Sequence, residues 1–185
     1  MGIRAEDKVE AVMQKPLIIT MGDPTGVGPE IIVQALCSGA FAELGRPLVV
    51  AGDLAVLQRA AAVYGVDARL QPASQLALAS DEMVIGDYRL PVRALSQLDL
   101  AQQKYAQPQL SSGRAMADYI AWACDRCLDG AAAGMVTAPI NKQALQAAGV
   151  DFPGHTEMLA DRCQVDEVVM MLAGARLRRS EEHTS

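Results

Sequence analysis

The stretch Leu17 to Leu36, LIITMGDPTGVGPEIIVQAL, leaves this chain little freedom in what it can fold into. An apolar run ends at Thr20, meets a turn carrying Gly22, Gly26 and Gly28, and opens into a second apolar run, which reads as strand, loop and helix. Pro24 and Pro29 restrict the loop, and Pro29 suits a first helical position. With Gly28 as the expected N-cap and Glu30 in the first turn, the free N–H groups of the helix face whatever sits over the loop. A glycine-rich turn of this kind is by itself a common strand-to-helix connection. Its spacing fits neither G-x-G-x-x-G nor G-x-x-x-x-G-K-[ST], and no lysine follows to reach a phosphate, so it is not a nucleotide fingerprint.

The same step recurs. Residues 47–52, PLVVAG, read as a buried strand, and Asp53 is placed to cap a helix over 54–64 that Gly65 stops. A strand is expected near 68–70, and strands over 83–85 and 88–92 flank Gly86-Asp87 as a hairpin. Residues 99–108, DLAQQKYAQP, read as an exposed connection, after which Ser111 or Ser112 starts the longest helix, with Gly130 just past its end. Residues 134–136 form a short strand running into TAPINK, where Asn141 caps a helix over 142–148 ended by Gly149. A turn at Asp151-Phe152-Pro153-Gly154 leads to His155, with Thr156 as the expected cap of a further helix, and the continuous apolar run over 168–173 reads as a central strand. Such alternation predicts a three-layer α/β/α fold: a mostly parallel sheet, right-handed crossovers, and helices on both faces. The composition agrees, since about half of the residues are apolar and few are aromatic.

A formal charge of −6 and a pI near 4.9 argue against a nucleic-acid or anionic-membrane partner. No run approaches the length of a membrane span, and the charged start does not resemble a secretory signal, so a cytoplasmic location is expected. Residues 1–15 read as a leader without an assigned function. Cys124 and Cys127 form C-x-x-C inside a helical pattern with no second pair at zinc-finger spacing, which favours two thiols on a helix face over a redox or metal site.

Three strand ends should converge on one crevice: residues 21–29, residues 137–142, and the turn reaching His155. A lone histidine is more often a hydrogen-bonded turn residue than a ligand group. Asp23 either orients a substrate or holds its own loop by an Asx turn, with little to separate the two. Lys142 either offers positive charge to an anion or is a solvated lysine at a helix start. Thr137 and Asn141 read as loop and cap residues.

Two longer strings shift that weighting. GDPTGVGPE, and VTAPINKQALQAAGVDFPGHTE running on into MLADR, closely resemble the two signatures of the 4-hydroxythreonine-4-phosphate dehydrogenases of pyridoxal phosphate biosynthesis, in the same order. The resemblance runs from about Pro16 to Arg176 and implies an isocitrate/isopropylmalate-dehydrogenase-like architecture. It implies NAD-dependent oxidation of 4-phosphooxy-L-threonine to 2-amino-3-oxo-4-phosphooxybutanoate, which loses carbon dioxide to give 3-amino-2-oxopropyl phosphate. Relatives act on erythronate phosphate or aromatic dihydrodiols, and a non-catalytic phosphate-binding module is the alternative from another class. In the resembling family the His and Thr of GHTE contact the phosphorylated substrate, and they fall on His155 and Thr156. The family also implies NAD or NADP, a homodimer with the active site at the subunit interface, and a divalent metal (Zn, Mg or Co) held by three histidines C-terminal to GHTE. This chain carries none of those three. His183 matches no ligand, and residues 179–185, RSEEHTS, are a polar run expected neither to cap nor to cover the preceding strand. That run is what a widely used sequencing adapter encodes, so residues 16–178 are read as the N-terminal part of the dehydrogenase fold, incomplete at the C-terminus and inactive alone, and 179–185 as a non-native tail.

Overall fold

The computed structural model describes residues 15–174, together with the backbone of 178–184; the leader expected over 1–15 lies outside this range apart from Lys15. A six-stranded sheet has the order β3-β4-β5-β2-β1-β6. Its strands are β1 (Leu17–Thr20), β2 (Leu48–Gly52), β3 (Arg69–Pro72), β4 (Asp81–Ile85), β5 (Tyr88–Ala94) and β6 (Gly134–Thr137). β1 runs parallel to both β2 and β6, and β2 runs parallel to β5. The hairpin expected at Gly86-Asp87 is present, so β4 and β3 extend the sheet in antiparallel fashion. The sheet is therefore mixed. Every residue of β2 is buried, as its apolar run requires of a strand covered on both faces.

The helices are α1 (Gly28–Cys37), α2 (Leu54–Val63), α3 (Leu110–Leu128), α4 (Lys142–Ala147) and α5 (His155–Cys163), with one 3-10 turn at Ala42–Leu44. α1 and α2 pack on each other, α3 lies on β1, β2 and β6, and α4 and α5 pack on α3. Ile18, Val33, Val50, Leu57, Met83 and Val92 belong to one continuous core. Met116, Ala144 and Leu145 make a smaller one where α3 meets α4. That contact is backbone-close: a Cβ on Gly113 would stand 2.0 Å from the Ala144 carbonyl oxygen. Only glycine admits the approach, which lets α4 sit close against α3.

Several boundaries differ from the sequence reading. Val27, not Gly28, is the N-cap of α1, without a side-chain bond. Gly28 serves close packing instead, since a Cβ there would lie 2.2 Å from the Met21 carbonyl oxygen. α3 is capped at Gln109, ahead of both serines; Ser112 Oγ accepts from the Gln109 N–H at 2.9 Å, turning the serine into the third residue of the helix rather than its start. α5 starts two residues earlier than expected because Gly154 enters in an extended conformation and acts as the cap, leaving Thr156 inside the first turn.

Residues 99–108 are not merely an exposed connection: Gln103 is fully buried, and the segment lies over the glycine loop. The largest departure is β7 (Glu167–Ala173), which is not a central strand. It pairs only with β8 (Arg178–Thr184), antiparallel, in a separate two-stranded sheet, and Val169, Met171 and Leu172 are exposed. An apolar run reports what a strand can bury, not what is there to bury it. The polar stretch that follows pairs with β7 through the backbone, which demands no apolar pattern, and leaves those apolar side chains exposed.

Candidate active site

Strands β1, β2, β5 and β6 are mutually parallel, so their carboxyl ends, Thr20, Gly52, Ala94 and Thr137, open onto one side of the sheet. From β1 the chain builds outward through β2 to β5, then returns to place β6 on the other flank of β1. The direction reverses between β1 and β6. At such a switch point the connections diverge and leave a crevice, and the two segments that border it are Met21 to Val27 and Ala138 to Asn141.

These segments are stitched together by backbone. The Ala138 N–H donates to the Thr20 carbonyl at 3.0 Å, and the Asp23 N–H donates to the Pro139 carbonyl at 2.9 Å. Gly22 sits between them with φ of +74°, and a Cβ there would lie 2.3 Å from the Pro139 oxygen. The left-handed conformation and the close approach both require glycine. Asp23 is almost fully buried, and its Oδ1 accepts from both the Thr25 N–H and the Thr25 hydroxyl at 2.8 Å. One carboxylate oxygen of Asp23 is thus spent on an Asx turn that shapes the loop.

A cover that the sequence reading missed closes over this loop. The Ala106 N–H donates to the Thr25 carbonyl at 2.9 Å. Arg59 of α2 donates to the carbonyls of Gln103 and Pro24, and its guanidinium stacks 4.5 Å from the centre of the Tyr105 ring. Tyr105 in turn donates to Glu30 Oε1 at 2.6 Å. Burial and the Glu30 carboxylate raise the Tyr105 phenol above its ordinary value, so it remains a donor. Between loop and cover is a cleft of about 460 Å³ lined by Asp23, Thr25, Val27, Glu30, Tyr105 and Asn141, among others. An arginine in the middle of α2 and a tyrosine in a Gln-rich connection carry no local pattern announcing that they meet.

Beside the cleft, Asn141 caps α4, accepting from the Ala144 N–H at 3.0 Å, and the chain then presents Lys142. Lys142 and His155 come together. The Lys142 ammonium lies 3.8 Å from the point where a Gly154 Cβ would stand, and the Glu157 carboxylate reaches the same point at 3.6 Å. His155 opens α5, where unpaired first-turn N–H groups favour an anion. Its Nε2 is buried and, among the described residues, has no hydrogen-bond partner. Burial first, then the neighbouring Lys142 charge, holds the imidazole below its ordinary value.

Two consequences are measurable. The neutral imidazole is the form the fold prefers, so stability should fall as pH drops from the ordinary histidine value through the lowered one of His155. Urea unfolding across that window should show this loss, and His155→Gln should remove it. Adding inorganic phosphate should move the ring titration of His155 upward in NMR, since a nearby dianion favours imidazolium; an unmoved titration would argue against an anion site here.

Of the residues singled out in the sequence, the structure brings Lys142 and His155 together, with Thr156 in the next helical position. Asp23 stays in the glycine loop across Ala138 to Asn141. No group of three or more His, Cys, Asp or Glu side chains that could hold a metal ion exists among the described residues. Among these residues there is no ligand set for the divalent metal that the resemblance implies.

Fold and site together define an α/β protein whose candidate crevice lies at a switch point of a mostly parallel sheet. Comparison with known proteins narrows the class. The family model described as "Pyridoxal phosphate biosynthetic protein PdxA" matches residues 43–181, and the chain belongs to this family. It is 47% identical over 165 residues to the 4-hydroxythreonine-4-phosphate dehydrogenase of Trichlorobacter lovleyi, a match covering 89% of this chain and 48% of that protein. It is 44% identical over 162 residues to the enzyme of the same name from Geobacter metallireducens, covering 88% and 46%. A crystal structure of a 4-hydroxythreonine-4-phosphate dehydrogenase from Burkholderia phymatum superposes with a TM-score of 0.76 at 32% identity, over 90% of this chain and 49% of that one. The chain spans about half the length of the curated relatives it matches.

Proposed function

We propose that this chain forms the phosphate-recognising part of a nicotinamide-dependent dehydrogenase that oxidises 4-hydroxythreonine-4-phosphate in pyridoxal phosphate biosynthesis. The observation that carries this reading is the buried, unpartnered Nε2 of His155, set beside the Lys142 ammonium at the mouth of α5. A phosphomonoester would satisfy all three features at once: it accepts from the imidazole, pairs with the ammonium and meets the first-turn N–H groups. Thr156, in that first turn, adds a hydroxyl. Asp23 supports the site by shaping the loop rather than by touching substrate.

The reaction removes a hydride from the carbinol carbon and a proton from its hydroxyl. NAD or NADP, when bound, accepts the hydride. The resulting β-keto acid, 2-amino-3-oxo-4-phosphooxybutanoate, loses carbon dioxide to leave 3-amino-2-oxopropyl phosphate. Lys142 and His155 hold the phosphate end, away from the bond that is oxidised, so they bind and position. We further propose that the whole protein is a cytoplasmic homodimer without nucleic-acid or membrane partners.

The test is calorimetric titration with inorganic phosphate and with 4-phosphooxy-threonine. Each of Lys142→Met and His155→Gln should weaken binding about 10- to 100-fold, the range expected for a lost charge-assisted hydrogen bond. In a protein extended to the relatives' full length, NADH formation should be faster with 4-phosphooxy-threonine than with erythronate phosphate or an aromatic dihydrodiol. Unchanged phosphate affinity in both variants would sink the reading.

A further inference from the structure

We infer that Cys163 and Cys124 form an oxidation site that closes to an intramolecular disulfide and clamps α5 to α3. The two Sγ atoms lie 3.8 Å apart across the helix packing, and both residues are free thiols. A disulfide needs about 2.05 Å, so the sulfurs must approach by less than the length of two C–C bonds. The backbone is already held for this. At the adjacent positions Arg162 donates through Nε and Nη2 to both carboxylate oxygens of Asp125, at 2.7 Å each. That fork fixes the two helices one residue away on both sides.

The thiols differ in access. Cys163 is exposed at the C-terminal end of α5, whereas Cys124 is buried in α3. Hydrogen peroxide therefore meets Cys163 first: its thiolate takes a hydroxyl group as the O–O bond breaks, giving a sulfenic acid, and the hydroxide that leaves takes up the proton the thiol lost and departs as water. The Cys124 thiol then attacks that sulfur, the S–O bond breaks, and a second water leaves with the Cys124 proton. In total two thiols and one hydrogen peroxide give one disulfide and two waters. Burial first, then Cys163 itself, pushes the Cys124 thiol up to about 11, which makes it a poor first target. Once Cys163 is oxidised, Cys124, 3.8 Å away, is placed to act as the resolving group.

The consequence falls on α5. Among its residues only Met158 is buried, the Arg162 fork and the cysteine pair tie it to α3, and the opposite end of this helix carries His155. A covalent bond there suppresses local opening of the helix in the oxidised protein.

The test is to treat the protein with hydrogen peroxide, alkylate the remaining thiols with a maleimide, and map peptides by mass spectrometry. The expected result is a Cys124–Cys163 cross-linked peptide in a monomer, with two of the four cysteines still alkylated, and slower amide exchange over 155–163 that dithiothreitol reverses. Cys163→Ser, a change at an exposed position, should abolish the cross-link, while Cys127→Ser and Cys37→Ser should keep it. The inference is overturned if Cys163 proceeds to sulfinic acid with Cys124 still free. It is equally overturned if all four thiols remain alkylable, if Cys124 pairs with Cys127, or if cross-linking occurs only between molecules.

Discussion

Gly22→Ala should destabilise the chain by about 3 kcal/mol. Placing alanine in a left-handed conformation costs about 1–2 kcal/mol, and Gly22 sits there with φ of +74°. The added methyl group would also stand 2.3 Å from the Pro139 oxygen, a backbone atom that can yield only if the Ala138 to Asn141 segment moves. Overpacking of that kind adds about 1–3 kcal/mol. The displaced segment carries the Asn141 cap and leads into Lys142, so phosphate affinity should fall together with stability. Urea unfolding and calorimetry on the same preparation check both. Gly45→Ala is the control, because Gly45 has φ of +62° but open space around it, and it should show the conformational cost alone with phosphate binding intact.

Asp53→Ala should cost a comparable amount, about 2–4 kcal/mol, for a different reason. Asp53 is fully buried at the carboxyl end of β2, where its Oδ1 caps α2 through the Val56 N–H at 3.1 Å. Its Oδ2 accepts from the Ser96 hydroxyl at 2.9 Å and the Leu98 N–H at 2.8 Å. Ser96 also shares a hydrogen bond with Tyr119 of α3, whose phenol is raised well above its ordinary value by burial. One carboxylate thus joins a strand end, a helix start, the connection after β5 and the longest helix. Loss of the cap alone costs about 1 kcal/mol, and the stranded donors add about 1–3 kcal/mol. Asp53→Asn retains an oxygen for the cap and should recover part of the loss, which thermal melts of the two variants would reveal.

What the sequence disclosed about these positions follows from the range of the interactions. The strand–loop–helix at Leu17 to Leu36, the Asp53 cap, the Gly86-Asp87 hairpin and the Asn141 cap are decided within a few residues, and all are found. Where two signals competed locally, a shift of one or two residues was enough to mislead: Gly28 and Thr156 both carry N-cap chemistry, but packing against Met21 moved the first cap to Val27 and the extended entry at Gly154 moved the second there. Ser96, Leu98 and Tyr119 gathering on Asp53, and Arg59 reaching over to Pro24 and Gln103, join residues distant in sequence, and no periodicity or propensity encodes such pairs. The placement of β7 failed because its apolar composition says nothing about which surface covers it. The residues of the candidate site lie within two motifs of the sequence; the contacts that hold those motifs in place have no local signature.

The central position of β1 also governs the order in which the site can form. β1 pairs with β2 a short way down the chain, but Leu17 meets Gly134 and Thr20 meets Thr137 only after every intervening strand and α3 have been laid down. Closing so long a loop carries an entropic penalty that the local hairpin and helices do not face. The glycine loop gains its last support when β6 docks, so the crevice should be among the late regions to order during refolding. By the same reasoning it should be among the first to exchange its amide protons in the native protein, ahead of the β2–β5 centre.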